Sequence, residues 1–210
     1  MRRDHFQLYD SLRGLGLSFA ITIAVGLFVA FILRDGTSVG LPLFAIASAM
    51  CSAITFISFL IWALVNGIHT HQFLRLYHLG GLGRKESFRR VWLYSFASFL
   101  FAGLVIAAVA CPLALAVDDP HSVLIMPVAF IGTVIAGLLV NAIGQLFAMM
   151  AYTIPSKVVA GISIALAAFL ILALLDEEII PALVVGIIAF VLDWFLFVKR
   201  RCPLGSTKPE

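Results

Sequence analysis

The chain has 210 residues, of which 62% are hydrophobic and 12% charged, with a formal net charge of +3 and a mean hydropathy of +1.11. A soluble domain carries about 25% charged residues. With half that share the chain cannot cover a water-facing surface, so its composition excludes a soluble globular fold, intrinsic disorder and a disulfide scaffold. It predicts a polytopic membrane protein.

Six apolar stretches are long enough to cross a bilayer as helices. About 20 apolar residues span the ~30 Å hydrocarbon core, because an α-helix rises about 1.5 Å per residue. The stretches are too long and too uniformly apolar for barrel strands. We therefore predict an all-α fold, a polytopic membrane helix bundle with six transmembrane helices in a single domain over residues 1–210. The predicted spans are 15–33, 41–65, 91–117, 123–152, 158–175 and 179–198.

The distribution of basic residues predicts the orientation of these spans. Lys and Arg are retained on the cytoplasmic side of a membrane. Of the 14 Lys and Arg residues, all except Arg34 fall on the side that carries both termini, whereas the opposite turns are acidic at Asp35, at 118–119 and at 176–178. We therefore predict that both termini are cytoplasmic, in a multi-pass protein of the bacterial inner membrane.

Residues 66–90 form the longest connection, which we predict to be a cytoplasmic loop rich in basic residues and glycine. Its first part, 68–78, mixes apolar with basic and imidazole groups, which favours an interfacial helix or a cytoplasmic extension of the second span. The glycines in 80–83 end that helix, and Ser87 is the predicted N-cap of the third helix. Residues 5–15 predict a second short interfacial helix.

Two stretches of the chain resemble a known family. Residues 79–95 read Leu-Gly-Gly-Leu-Gly-Arg-Lys-Glu-Ser-Phe-Arg-Arg-Val-Trp-Leu-Tyr-Ser, and residues 151–160 read Ala-Tyr-Thr-Ile-Pro-Ser-Lys-Val-Val-Ala. The first is similar to a segment of bacterial Yip-domain proteins, in which paired glycines, basic residues and Ser-Phe lead into a helix carrying Tyr-Ser. The second is similar to a short loop of that family. The resemblance implies a multi-span domain with a cytoplasmic N-terminus and a role in membrane organisation or trafficking.

Polar and small residues lie on one face of the fourth predicted span. Thr133, Gly137, Asn141 and Gln145 recur every four residues and therefore share a helix face. An amide that faced lipid would leave its donors and acceptors unsatisfied, so this face is predicted to point inward. Such residues mark either a packed helix interface or a polar pathway, and both hypotheses stay open here. The second and third predicted spans also carry small polar residues: Ser48, Ser52, Thr55, Ser95 and Ser98.

Asp193 is the only acidic residue inside a predicted span, and with Asn141 and Gln145 it makes up a candidate intramembrane polar site. A carboxylate at this depth is costly unless it is paired, hydrated or protonated. One hypothesis is a proton- or cation-linked site, and another is an interfacial carboxylate that reaches headgroup water beside Trp194. A third is an ion pair with a basic residue near the cytoplasmic edge: Arg13, Arg89 or Arg90.

A cluster of basic residues follows the glycines. Arg84, Lys85, Arg89 and Arg90 are a candidate contact for anionic lipid headgroups, each worth about 1 kcal/mol near a membrane surface. The alternative is that these charges only set the topology. The glycine run lacks the spacing of a phosphate-binding loop, so no nucleotide site is predicted.

We predict no enzyme, since Ser163 has no nearby histidine to activate it and intramembrane aspartyl chemistry needs two buried acids. His69, His71 and His78 lack the ligand set of a zinc site, so no metal or cofactor is predicted. The expected partners are membrane lipids, including anionic headgroups, and a membrane-protein partner or a second copy of the chain, but not nucleic acid.

Two functional hypotheses remain. The first is a non-enzymatic Yip-like integral membrane protein that organises lipids or partner proteins. The alternative is a small-solute transporter or channel component, in which Asn141, Gln145 and Asp193 line a path. A path requires water to reach these side chains, whereas an organiser keeps their face sealed against other helices.

Overall fold

The computed structural model describes residues 6–33, 43–116, 124–151 and 179–199. These residues contain no β-strand, so the all-α prediction is confirmed for them. The helices are α1 (Phe6–Leu33), α2 (Leu43–Leu79), α3 (Arg84–Ala116), α4 (Ile125–Ala151) and α5 (Ile179–Trp194), and α5 continues into a π-helical turn (Phe195–Lys199). The fifth predicted span, 158–175, lies outside the described residues, and α5 corresponds to the sixth.

Three of the described helices contain segments long and apolar enough to cross a membrane: Ile46–Leu79, Arg84–Pro112 and Ile125–Met150. A shorter apolar helical segment covers Leu12–Phe28. Large apolar side chains such as Phe31 lie exposed on these helices. Apolar surface left in water loses about 25 cal/mol of stabilising free energy for each Å² that is not buried. Lipid acyl chains would cover the same surface without this loss.

Two helices at the predicted cytoplasmic side continue beyond the predicted spans. The short helix expected over 5–15 is part of the single helix α1, and α2 continues to Leu79 as an extension of the second span. The loop predicted over 66–90 is therefore helical except for 80–83. Neither α1 nor α2 contains a proline, and backbone hydrogen bonding carries α2 on to the glycines of residues 80–83.

The turn between α2 and α3 is a Schellman motif. The amide of Gly81 donates to the carbonyl of His78 at 3.0 Å, and that of Leu82 donates to the carbonyl of Tyr77 at 3.2 Å. Gly81 has φ +89°, a left-handed conformation that a residue with a Cβ rarely adopts. Leu82 packs against the core cluster that contains Tyr77, which is the apolar contact that usually accompanies this motif.

Ser87 does not cap α3, and that prediction is wrong. The helix begins at Arg84, and Ser87 lies in its first turn. Both its amide and its hydroxyl donate to the carbonyl oxygen of Gly83, at 2.9 and 3.0 Å. The helix starts earlier because the glycines end at Gly83 and nothing after them opposes helix formation.

The chain divides into two compact units. Unit 1 contains residues 1–61 and 97–135, and unit 2 contains residues 62–96 and 136–210. In unit 1 the Ser48 hydroxyl donates to the carbonyl of Val109 at 2.5 Å, and the rings of Phe59 and Phe99 meet edge to face with centroids 5.9 Å apart. These contacts join α2 to α3 within unit 1.

Unit 2 carries the candidate site. Its described parts are the last 18 residues of α2, the start of α3, the second half of α4, and α5 with its π-helical turn. Its aromatic and aliphatic core draws on all of these elements: Leu74, Tyr77, Phe88, Val91, Met149 and Phe197. The polar residues of the candidate site are buried in the same unit.

Candidate functional site

Helices α2 and α4 approach so closely in unit 2 that only glycine fits between them. A methyl group at Gly67 would overlap the backbone oxygen of Asn141 and lie 2.9 Å from the backbone nitrogen of Gln145. A methyl group at Gly144 would overlap the backbone oxygen of Leu64 and lie 3.1 Å from the Cα of Gly67. Small residues permit this kind of backbone contact between membrane helices.

A hydrogen-bonded network lies beside this close contact. The side-chain amide of Asn66 on α2 donates to the Asn141 side-chain oxygen on α4 at 2.9 Å and to the Ser95 hydroxyl on α3 at 3.2 Å. All three side chains are buried. The network therefore links three helices through one asparagine, and it assigns Asn141 to a packed helix interface.

Asn66 was not among the predicted site residues, because it directly follows the predicted second span, which ends at Val65. Asn66 directly precedes Gly67, which makes the closest contact with α4. An amide residue next to a small residue is typical of a packed helix interface and could have indicated Asn66 as a site residue. Predicting the bond to Asn141 also required knowing that α2 packs on α4.

Gln145 and Asp193 are also fully buried, each at 0% exposure. Within the part of the chain that the structure describes, neither amide atom of Gln145 and neither carboxyl oxygen of Asp193 has a hydrogen-bond partner. The Asn141 amide nitrogen and the Trp92 indole nitrogen are likewise unpaired. Among the described residues of unit 2, four side chains from three helices therefore carry unused donors or acceptors in the interior.

Helices α4 and α5 run in the same direction past each other. Gly186 on α5 lies directly against the side chain of Leu139, and a methyl group there would overlap it. Further along both helices, Met149 and Phe197 belong to the same core cluster. Two points of association in the same order along both helices define a parallel pair.

This register places Gln145 and Asp193 at the same level. Gln145 is four residues before Met149, and Asp193 is four residues before Phe197, so each lies one turn, about 6 Å, from the shared cluster. Since both side chains are buried, both point into the unit rather than toward its surface. The amide and the carboxyl predicted to share a site therefore lie at one depth in the same bundle.

Asp193 is fully buried although it stands beside the exposed Trp194. The proposed ion pairs are absent from the described residues. Arg90 donates to Glu86 at 3.1 Å and Arg89 lies 4.0 Å from it. The two arginines are therefore occupied one turn away along their own helix.

The four basic residues at the start of α3 differ in their exposure and in their contacts. Arg84 turns inward: its guanidinium donates to the carbonyl of Phe197 at 3.2 Å and lies 5.3 Å from the centre of that ring. There it compensates the partial negative charge at a helical C-terminus. Lys85 and Arg89 are exposed, the Arg89 side chain at 79%, and Arg90 is partly exposed and bonded to Glu86.

Comparisons of the chain with protein-family models, with curated proteins and with solved structures found no match.

Proposed function

We propose that the chain is a non-enzymatic integral membrane protein of six spans, with both termini in the cytoplasm, that organises anionic lipids at its cytoplasmic face. Its resemblance to Yip-domain proteins at 79–95 favours the same kind of role. The observation that carries the proposal is the pair of exposed cations, Lys85 and Arg89, on the first turns of α3.

Both cations lie close to the predicted membrane edge. Arg89 precedes the start of the predicted span at residue 91 by two residues, or about 3 Å, and Lys85 precedes it by six residues, or about 9 Å. Both distances are within the ~10 Å over which a charged surface acts at ordinary salt. Lys85 and Arg89 therefore occupy the zone in which lipid headgroups attract cations.

The backbone that presents these cations is held on both sides. The Schellman turn fixes the path from α2 into α3, and Arg84 ties the first residue of α3 to the end of the π-helical turn. A single acid, Glu86, accompanies the four basic residues, so the surface stays positive. A rigid cationic surface loses less conformational entropy on binding a headgroup than a flexible loop does.

The test measures lipid affinity on the full chain. Purified protein in a neutral detergent is titrated with fluorescent phosphatidylglycerol and, separately, phosphatidylcholine. We expect preference for the anionic lipid, weakened by salt. The double variant Lys85→Gln/Arg89→Gln removes about 2 kcal/mol, which corresponds to about 30-fold weaker binding.

Arg13→Gln is the matched control, since Arg13 is also exposed but lies on α1 in the other unit. It should leave the affinity within about twofold. Equal affinity for the two lipids, or an equal loss in the control and the double variant, would overturn the proposal.

A second candidate function, a small-solute transporter or channel component, is favoured by the unpaired polar atoms of Gln145 and Asp193. Burying such groups without partners is unfavourable, and membrane proteins retain them mainly where they serve a pathway. A path requires water at Gln145 in some conformation of the protein. In the conformation described here that side chain is sealed, which favours the first proposal.

A further inference from the structure

We propose that Asp193 is a proton-binding residue in the interior of unit 2, which holds its proton as a neutral acid in the folded protein beside the amide of Gln145. The inference is separate from lipid binding by α3, and either can fail without the other. It is carried by four observations on the described residues: Asp193 is completely buried, no cation pairs with it, it lies at the depth of Gln145, and both side chains have unused hydrogen-bonding groups.

Among the described residues, nothing stabilises the ionised form of Asp193. Both carboxyl oxygens are buried and neither accepts a hydrogen bond. A lone carboxylate in an apolar interior is far more costly than a neutral acid, so such a group takes up a proton unless a cation pairs with it. The protonated form needs only one acceptor for its hydroxyl.

The charged and titratable groups around Asp193 have other contacts. Arg84 on α3 contacts Phe197, one turn further on. Lys199 lies 5.8 Å over the ring of Trp194. Tyr77 on α2 belongs to the aromatic core.

Three basic residues of α2 in this unit, His69, Arg75 and His78, are exposed and offer Asp193 no ion pair either. Helix α4 carries no titratable side chain. Glu86 pairs with Arg89 and Arg90 on α3, and Lys85 at the start of that helix is exposed. No ion pair therefore competes with the proton among the described residues.

The neighbours of Asp193 suit a neutral acid. The Gln145 oxygen is an unused acceptor at the same depth, and the Trp92 indole is an unused donor. Trp92 meets Phe190, three residues before Asp193, with ring centroids 4.8 Å apart. We therefore expect the neutral acid to donate to the side-chain oxygen of Gln145 and to accept from the indole of Trp92. Loss of the proton from Asp193 would leave an uncompensated negative charge in the interior of unit 2. The described conformation, in which Asp193 is buried, therefore corresponds to the proton-bound state.

Infrared spectroscopy of the full chain reconstituted in vesicles at neutral pH tests this. We expect the carbonyl stretch of a protonated carboxylic acid, which Asp193→Asn removes and Glu86→Gln, the control at a surface acid, leaves in place. Gln145→Leu should shift the band, because it deletes the acceptor. Absence of the band from the wild-type protein at neutral pH, or its persistence in Asp193→Asn, would overturn the proposal.

A second measurement does not depend on the folding of a variant. Wild-type protein labelled with carbon-13 at the aspartate side-chain carboxyls is titrated by nuclear magnetic resonance. We expect one aspartate signal to keep the shift of the neutral acid after the others have ionised. Ionisation of every aspartate in the acid range would contradict the assignment.

Discussion

At the scale of single residues, the structure distinguishes three polar side chains that the sequence grouped together. Asn141 accepts a hydrogen bond from Asn66, so its side chain acts in helix association. Gln145 and Asp193 have unused hydrogen-bonding groups at one depth of the same unit. The three side chains are therefore equally buried but differ in their hydrogen bonding. The Asn141 oxygen is paired, whereas the polar groups of Gln145 and Asp193 are unused among the described residues.

The asparagine pair gives a prediction at this scale. Asn66→Ala and Asn141→Ala should each destabilise the fold, and a double-mutant cycle should give a coupling of about 0.6 kcal/mol, with 1.7 kcal/mol as an upper value for such bonds. Reversible unfolding in mixed micelles measures it. The control cycle pairs Asn66→Ala with Thr133→Val, because the Thr133 hydroxyl donates to Ala129 on its own helix. Equal coupling in both cycles would show that the Asn66–Asn141 bond contributes nothing specific.

At the scale of helices, the contact between α2 and α4 depends on two glycines that face each other. Gly67 lies against the α4 backbone and Gly144 against the α2 backbone. The same two helices are joined by the hydrogen bond from Asn66 to Asn141. Packing and polar pairing therefore reinforce each other, and a change that separates the helices weakens both.

Substituting Gly144 tests this arrangement. Gly144→Ala should lower the free energy of unfolding by about 1–3 kcal/mol, the usual cost of overpacking a close contact. The control is Gly132→Ala on the same helix, where a methyl group meets nothing within 4 Å. Because alanine favours helix by up to about 1 kcal/mol, the control should be neutral or stabilising. Equal losses in the two variants, measured by thermal unfolding in detergent, would contradict the close contact.

At the scale of the whole molecule, helix length and charge together argue for the topology. The 37 residues of α2 extend about 55 Å, well beyond the ~30 Å hydrocarbon core. If α2 crosses the bilayer as proposed, we expect its excess to protrude on the side that carries the basic turn into α3. The positive-inside rule assigns that side to the cytoplasm.

Cysteine labelling in intact cells tests the topology in a background in which the three native cysteines are replaced by alanine. A membrane-impermeant maleimide should label Lys85→Cys only after the cells are opened. Gln145→Cys should stay unlabelled in both cases, because that position is sealed. Labelling of Lys85→Cys in intact cells would invert the topology, and labelling of Gln145→Cys would favour a transport pathway over a lipid organiser.

The sequence by itself determined the helical class, the apolar segments and the polar residues worth examining, because each follows from composition and local periodicity. It misplaced the start of α3 and divided α1, since a helix ends where its hydrogen bonding fails and not where its side chains become polar. Only the tertiary structure decided that Asn141 has a partner while Gln145 and Asp193 have none among the described residues, and that Arg84 turns inward while Lys85 stays exposed. Those outcomes depend on which side chain the packing brings opposite each polar group. The partners are far apart in the chain, so local sequence patterns do not reveal them.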